Sequence, residues 1–242
     1  MKNNDVLEHE IAHGKKISQN AEDIWGWGSK AGRIRANRRT DFFISLGNIS
    51  SSDNVLELGC GTGLFTEKVF NSTHANITAI DISEDLLEQA SLKVKEARFI
   101  RDDAMNMSFD NGSFDVVYGS SVLHHLNYET STAEIFRVLK PGGRMIFAEP
   151  NMINPQIFIQ KNVPFIKKWL GDSPDETAIV RWKMKKLLEK TGFKNVTIIP
   201  YDFLHPIVPS LLIKPVSFFG SICEKIPFLK EIAGSVVIYA EK

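Results

Sequence analysis

Residues Val55 to Phe65 read VLELGCGTGLF, an apolar strand-forming run that breaks into glycine at three alternate positions, Gly59, Gly61 and Gly63, before a helix opens. A strand that ends in small residues and passes directly into a helix leaves bare backbone and a helix N-terminus facing a ligand. A nucleotide-like group can then lie against the amides. Glu57, in the last turn of the strand, adds an acid beneath the loop. The spacing is G-x-G-x-G. It departs from the dinucleotide fingerprint G-x-G-x-x-G, because Leu64 and Thr66 stand where a third glycine would fall, and this argues against a nicotinamide cofactor.

The pattern after residue 54 alternates short β-branched runs with helical stretches, as a parallel sheet built of βαβ units requires. Strands are expected at Asn54 to Leu58, Ile77 to Asp81, Ala97 to Ile100, Phe114 to Tyr118 and Arg144 to Ala148, then at Asn195 to Pro200 and Ser235 to Ala240. Helices are expected between them. One runs from Leu64 to Asn71, and a second is capped by Ser83 with Leu86, Leu87, Ala90 and Val94 on one stripe. A third runs from about Glu129 to Lys140 and is stopped by Pro141-Gly142-Gly143. Ser173-Pro174-Asp175-Glu176 has the form of a capping box for a helix reaching Thr191. Residues 1 to 45 read as a helical lead-in, 46 to 150 as a cofactor-binding core, and 151 to 242 as acceptor-side insertions and closing strands, all within one domain of 242 residues.

Charge narrows the function classes. Lys plus Arg number 29 and Asp plus Glu number 29, so no net field draws the chain to nucleic acid, and none is expected as a partner. The first sixteen residues, MKNNDVLEHEIAHGKK, contain no apolar run of the kind a signal peptide needs. Cys60 and Cys223 read as free thiols, and a cytoplasmic location is expected.

In a doubly wound sheet, ligands bind where strands end at the carboxyl side and the strand order reverses. Acids and small residues fall at four consecutive strand ends: the Gly59–Gly63 loop, Asp81, Asp103 with Ala104, and Gly119-Ser120-Ser121. Asp81 suits a ribose diol, and Asp103 the exocyclic amine of an adenine. His124 and His125 follow the fourth strand, and His124 is the candidate base or acceptor-positioning group, with His205 second.

At these residues the chain resembles the class I S-adenosylmethionine-dependent methyltransferases, more narrowly the group containing the ubiquinone and menaquinone biosynthesis methyltransferases. The resemblance is carried by VLELGCGTG (55–63), AIDIS (79–83), RDDAMNMSF (101–109), FDVVYGSSVLHHL (114–126) and EIFRVLKPGGRMIFAEP (134–150). It implies an α/β, Rossmann-like, doubly wound seven-stranded sheet, mostly parallel with the last strand antiparallel, and S-adenosyl-L-methionine as cofactor. The residues implied to bind it are Glu57, Gly59, Cys60, Gly61, Gly63, Asp81, Ile82, Asp103, Ala104 and Ser120. Ile82 would pack on the adenine and Ser120 would lie near the methionine amine. Trp25, Trp27, Gly32 and Arg33 are further candidates before the first strand.

The expected reaction is methyl transfer to a small-molecule acceptor, chiefly at an oxygen of a lipid-linked, saccharide or aromatic, quinone-like metabolite. The alternative is a non-catalytic protein of the same fold that binds the cofactor as a partner or sensor. Two apolar insertions, Asn154 to Trp169 and Phe203 to Leu229, are expected to form a lid over the acceptor, and the second is a candidate for peripheral membrane contact. Its prolines and charges exclude a spanning helix. His9-Glu10-Ile11-Ala12-His13 matches the zinc-binding pattern H-E-x-x-H, but no further ligand motif follows and no metal is expected. Cys60 reads as a packing residue.

Overall fold

The computed structural model describes residues 20–169 and 176–242. The His9 to His13 motif and Ser173 to Asp175 of the capping box lie outside them. A short helix α1 (Ala21–Ile24) leads into α2 (Lys30–Gly47), which is capped by Ser29 accepting from the Gly32 amide. There follow β1 (Asn54–Leu58), α3 (Leu64–Thr73), β2 (Asn76–Asp81), α4 (Glu84–Lys93), β3 (Arg98–Arg101), β4 (Phe114–Ser120), α5 (Tyr128–Val138) and β5 (Leu139–Pro150). The remainder comprises α6 (Pro155–Asn162), α7 (Pro164–Trp169), α8 (Arg181–Thr191), β6 (Lys194–Tyr201), α9 (Ile213–Cys223), α10 (Pro227–Lys230) and β7 (Ser235–Glu241).

The strands form one seven-stranded sheet in the order β3-β2-β1-β4-β5-β7-β6. β1 pairs in parallel with both β2 and β4, and the β4–β5 and β2–β3 pairs are also parallel. β7 runs antiparallel between β5 and β6. The order therefore reverses between β1 and β4, which puts the expected crevice at the C-terminal ends of those two strands.

Period-2 alternation sorts the strand residues onto the two faces. Val55, Val116, Tyr118, Ile146 and Val237 share one core with Phe43 of α2 and Phe65 and Val69 of α3. Leu56, Val117, Met145, Phe147 and Ile238 share the other with Ile135 of α5 and Leu188 of α8. Both faces are covered, which a parallel sheet requires.

Two of the element boundaries that differ from expectation bear on the site. α5 stops at Val138, and Leu139 already pairs with Phe114 of β4. Lys140 precedes Pro141, whose ring disfavours the helical conformation there, and Lys140 bonds Asp115 instead. The helix expected from the capping box begins only at Arg181. Ile179 is wholly buried and is drawn into a parallel bridge with Asn151, its amide bonding the Pro150 carbonyl at 2.9 Å, so the chain is extended at Ile179. Glu176 consequently lies outside the first turn of α8 and is available to other partners.

Candidate active site

The β1–α3 loop is held open by backbone geometry. Gly61 has φ +52°, and a Cβ there would lie 3.0 Å from the Trp25 ring; at Gly59 (φ +63°) it would meet Val122 at 2.5 Å. Only glycine fits both conditions. The Gly61 amide donates to Oδ2 of Asp81 at 2.9 Å and the Ser83 amide to Oδ1 at 3.0 Å, so the carboxylate at the end of β2 is fixed between two loops. Asp103 accepts from the Met105 amide at 2.8 Å in a turn that presents Ala104.

These strand ends border one cleft of about 640 Å³. Gly59, Cys60, Gly61, Asp81, Ile82, Asp103, Ala104 and Ser120 all line it, as does His124. Glu57 and Gly63 do not. Glu57 is buried under the N-terminus of α3, where its Oε2 accepts from Thr66 (2.5 Å) and Tyr118 (2.7 Å). Burial pushes its carboxyl up to about 7, against the two hydroxyl hydrogen bonds that favour the anion. Gly63 starts α3 and faces Ala90. Burial also pushes the Cys60 thiol up, which suits a packing role.

The lead-in contributes more than its sequence suggested. Trp25 and Trp27 line the cleft, whereas Gly32 packs against the Gly26 carbonyl and Arg33 is exposed. The arginines facing inward are Arg35 and Arg39, one helical turn apart on α2. Arg39 is 3% exposed, lies over the Trp27 ring and donates to Ser120 Oγ (2.7 Å) and Ser121 Oγ (2.8 Å). Its Nε has no hydrogen-bond partner and no carboxylate is in ion-pair range among the described residues. Burial lowers its affinity for its proton. Ser121 is held at φ +56°, in the sparsely allowed left-handed region. A buried guanidinium with only neutral acceptors, facing a cleft, calls for an anionic ligand group. No local motif marks Arg39; its partners lie 81 and 82 positions away.

At the far end of the cleft, His124 Nδ1 lies 2.8 Å from Glu149 Oε2 and Nε2 lies 3.4 Å from Glu176 Oε1. Glu149 is fully buried, and its Oε1 accepts the amides of Val122 and Leu123. Lys161 of α6 also bonds Glu176 Oε1. Burial disfavours the imidazolium, but the two carboxylates outweigh it and push His124 up to about 9. Glu176, burial notwithstanding, is held well below the usual carboxylate range by its hydrogen bond with His124 and the nearby cations. Both ring nitrogens of His124, the candidate base or acceptor-positioning group, thus face carboxylates in this arrangement. His205 also lines the cleft; its Nε2 lies 3.1 Å from the Gln156 side-chain nitrogen, and burial holds it below the usual histidine value.

The two insertions meet over the cleft at that Gln156–His205 contact, but only parts of them line it: Asn154, Gln156, Ile157, Gln160 and Lys161 at the start of the first, and Phe203 to Pro206 of the second. The second insertion is clamped to α2 by Arg35–Asp202 (2.6 Å) and by a bidentate Arg38–Glu224 pair. α9 does not line the cleft and turns Phe218 and Phe219 outward.

A methyltransferase-domain model matches residues 56–147, the span from the glycine loop to β5. The chain belongs to the class I S-adenosylmethionine-dependent methyltransferases. It is similar to the demethylmenaquinone methyltransferase of Lactococcus lactis subsp. lactis, at 34% identity over 59% of this chain and 66% of that protein. The corresponding protein of Lactobacillus johnsonii is 31% identical over 66% of this chain and 75% of its own length. The O-methyltransferase resE of Aspergillus sclerotiorum is 26% identical over 79% of this chain and 73% of its own. Among solved structures, the N-methyltransferase NodS of Bradyrhizobium japonicum, in complex with S-adenosyl-L-homocysteine, shares the fold. Its TM-score is 0.65 at 16% identity, covering 96% of this chain and 97% of that one. The cofactor is therefore S-adenosylmethionine, and the cleft geometry fits it: a carboxylate at β2, an acid and a small residue after β3, and an anion-seeking arginine beyond β4.

Proposed function

We propose that this chain transfers the methyl group of S-adenosylmethionine to an oxygen of a small, largely apolar acceptor, aromatic and quinone-like or lipid-linked. The observation that carries this reading is the continuity of the cleft. Its cofactor end, from Asp81 to Ser120, opens without a break into a chamber bounded by Ile157, Phe203 and Leu204, with Gln156, Gln160 and His205 as polar points. Apolar walls with a few polar groups suit an acceptor of mixed character. Relatives named for methylating demethylmenaquinone and for O-methylation support the small-molecule class.

In this reading Asp81 holds the ribose, Asp103 and Ala104 border the adenine, Ile82 packs on its face, and Arg39 with Ser120 takes the amino-acid end. Because a sulfonium methyl is already activated, the chain's task is to align the acceptor oxygen with it in a dry pocket. His124, locked between Glu149 and Glu176, fixes the wall opposite the methyl. The outward apolar face of α9 and α10 would bring the cleft to a lipid surface where such acceptors reside.

The test is transfer of labelled methyl from S-adenosylmethionine to a panel of reduced quinones, simple phenols and a cell lipid extract, with calorimetric binding of S-adenosylhomocysteine alongside. Saturable homocysteine-product binding with label entering an apolar acceptor is the expected result. Binding without transfer to any fraction would favour the non-catalytic alternative.

A further inference from the structure

The polar end of the cleft holds a cluster that cofactor binding does not use. One ring nitrogen each of His124 and His125 and a carboxylate oxygen of Glu176 lie within 4.8 Å of one another, with His124 Nε2 3.4 Å from Glu176 Oε1, and all three residues line the cleft. Behind them the buried Glu149 holds His124 through Nδ1 at 2.8 Å and is itself fixed by two backbone amides. Two imidazoles and a glutamate converging at a cleft, with one imidazole oriented by a carboxylate on its far nitrogen, is the composition of a three-ligand divalent centre. Such a centre keeps a fourth position open.

We infer that His124, His125 and Glu176 form a binding site for a first-row divalent cation, with Glu149 as the residue that orients His124. Glu149 and Glu176 bring two negative charges inside, and these now face the His124 proton and the Lys161 ammonium. A divalent cation bound there would release the Nε2 proton to solvent and move Lys161 off Glu176, so the site gains one net positive charge. A nitrogen-rich ligand set favours zinc, cobalt, iron or nickel over magnesium or calcium, which select oxygen ligands. On the methyl-transfer reading, the cation would polarise the acceptor hydroxyl and ease its deprotonation. Only that role rests on the methyl-transfer reading; the site itself does not.

The experiment titrates chelator-treated full-length protein with Co2+, read by its visible ligand-field absorption, and then displaces it with Zn2+. S-adenosylhomocysteine affinity is measured on every variant as the check of fold. One Co2+ per chain is expected, bound at least tenfold more weakly by His125→Gln and by Glu176→Gln, and 10- to 100-fold more weakly by Glu149→Gln. The His9→Gln, His13→Gln pair should bind as the parent does. Absence of saturable Co2+ uptake in protein that binds S-adenosylhomocysteine would overturn the inference. So would uptake undiminished in both His125→Gln and Glu176→Gln, or uptake lost with the His9 and His13 pair. Co2+ uptake by protein that failed to bind S-adenosylhomocysteine would uphold the metal site and count against the cofactor assignments, so the two failures are distinguishable.

Discussion

The amide of Gly61 donates to Oδ2 of Asp81 at 2.9 Å, so the glycine loop and the end of β2 are joined by the same carboxylate that we propose to hold the ribose. Removing that carboxylate takes away the brace of the loop and, on that proposal, a ligand contact as well. Hydrogen bonds to a charged group contribute about 1.5–3 kcal/mol each. Asp81→Ala should therefore weaken S-adenosylhomocysteine binding by about 100-fold or more, measured by calorimetry. An affinity within threefold of the parent would show that the ribose lies elsewhere.

Arg39 gives a sharper test, because its proposed partner is only one part of the cofactor. Arg39→Met keeps the stem packed on Trp27 and removes the guanidinium. Loss of a charge-assisted bond predicts about 10- to 100-fold weaker binding of S-adenosylhomocysteine. Binding of 5′-methylthioadenosine, which lacks the amino-acid group, should be unchanged. Equal losses for the two ligands would mean that Arg39 only supports the fold.

The contrast between Asp81 and Arg39 also shows what the sequence made legible. Strand ends were readable because apolar runs terminate at glycine or acid in a fixed order, and a parallel sheet collects those ends on one edge. Of the ten cofactor residues that the family resemblance implied along that pattern, eight line the cleft. Glu57 and Gly63 belong to the same local pattern but face inward, which strand parity and helix packing decide. Arg39, Glu149 and Lys161 carry no local signal, since their roles depend on partners brought together by the sheet crossovers. Glu176 was visible as a helix-start residue; the bridge at Ile179 delays the helix and sends its carboxylate to His124 instead.

That His124–Glu149 pair should be strongly coupled. Breaking a buried pair from one side leaves an uncompensated charge and typically costs about 3–5 kcal/mol. His124→Ala should lower the urea midpoint accordingly, and the double variant His124→Ala, Glu149→Gln should recover part of the loss. A coupling energy of roughly 1–3 kcal/mol is expected from the double-mutant cycle. Strict additivity would show that the contact carries no net energy.

Glu57 predicts a distinctive pH profile. Its ordinary value of 4.5 rises to about 7 on folding, chiefly through burial. Between those values the native state holds more protons than the unfolded chain, so stability falls as pH increases from 4.5 to 7 and is flat above. The full contribution is about 3 kcal/mol at 1.36 kcal/mol per pH unit. Glu57→Gln mimics the neutral acid and should remove this slope, leaving the variant more stable relative to the parent at pH 8 than at pH 5. Parallel profiles for the two proteins in urea unfolding would refute the assignment.

The outer face of the second insertion leads to the last prediction. Leu211 is 88% exposed, Phe218 62%, Phe219 64% and Phe228 88%. Lys214, Lys225 and Lys230 interrupt the same stretch with no carboxylate partner among the described residues, whereas Glu224 and Glu231 are each paired with an arginine. No helix among the described residues is long and apolar enough to cross a membrane, so such a surface would lie along an interface. On the proposal of an interfacial contact, the aromatic side chains would enter the acyl boundary and the lysines would sit at the level of anionic headgroups. Full-length protein should therefore sediment with vesicles containing phosphatidylglycerol and less with pure phosphatidylcholine. Phe218→Ser with Phe219→Ser should weaken that binding at least tenfold, since burying one phenylalanine contributes about 1.5–3 kcal/mol. Neither aromatic lines the cleft, so affinity for S-adenosylhomocysteine should be unchanged in the double variant. Vesicle binding that is absent in the parent, or is retained in full by the double variant, would rule out this face as the contact.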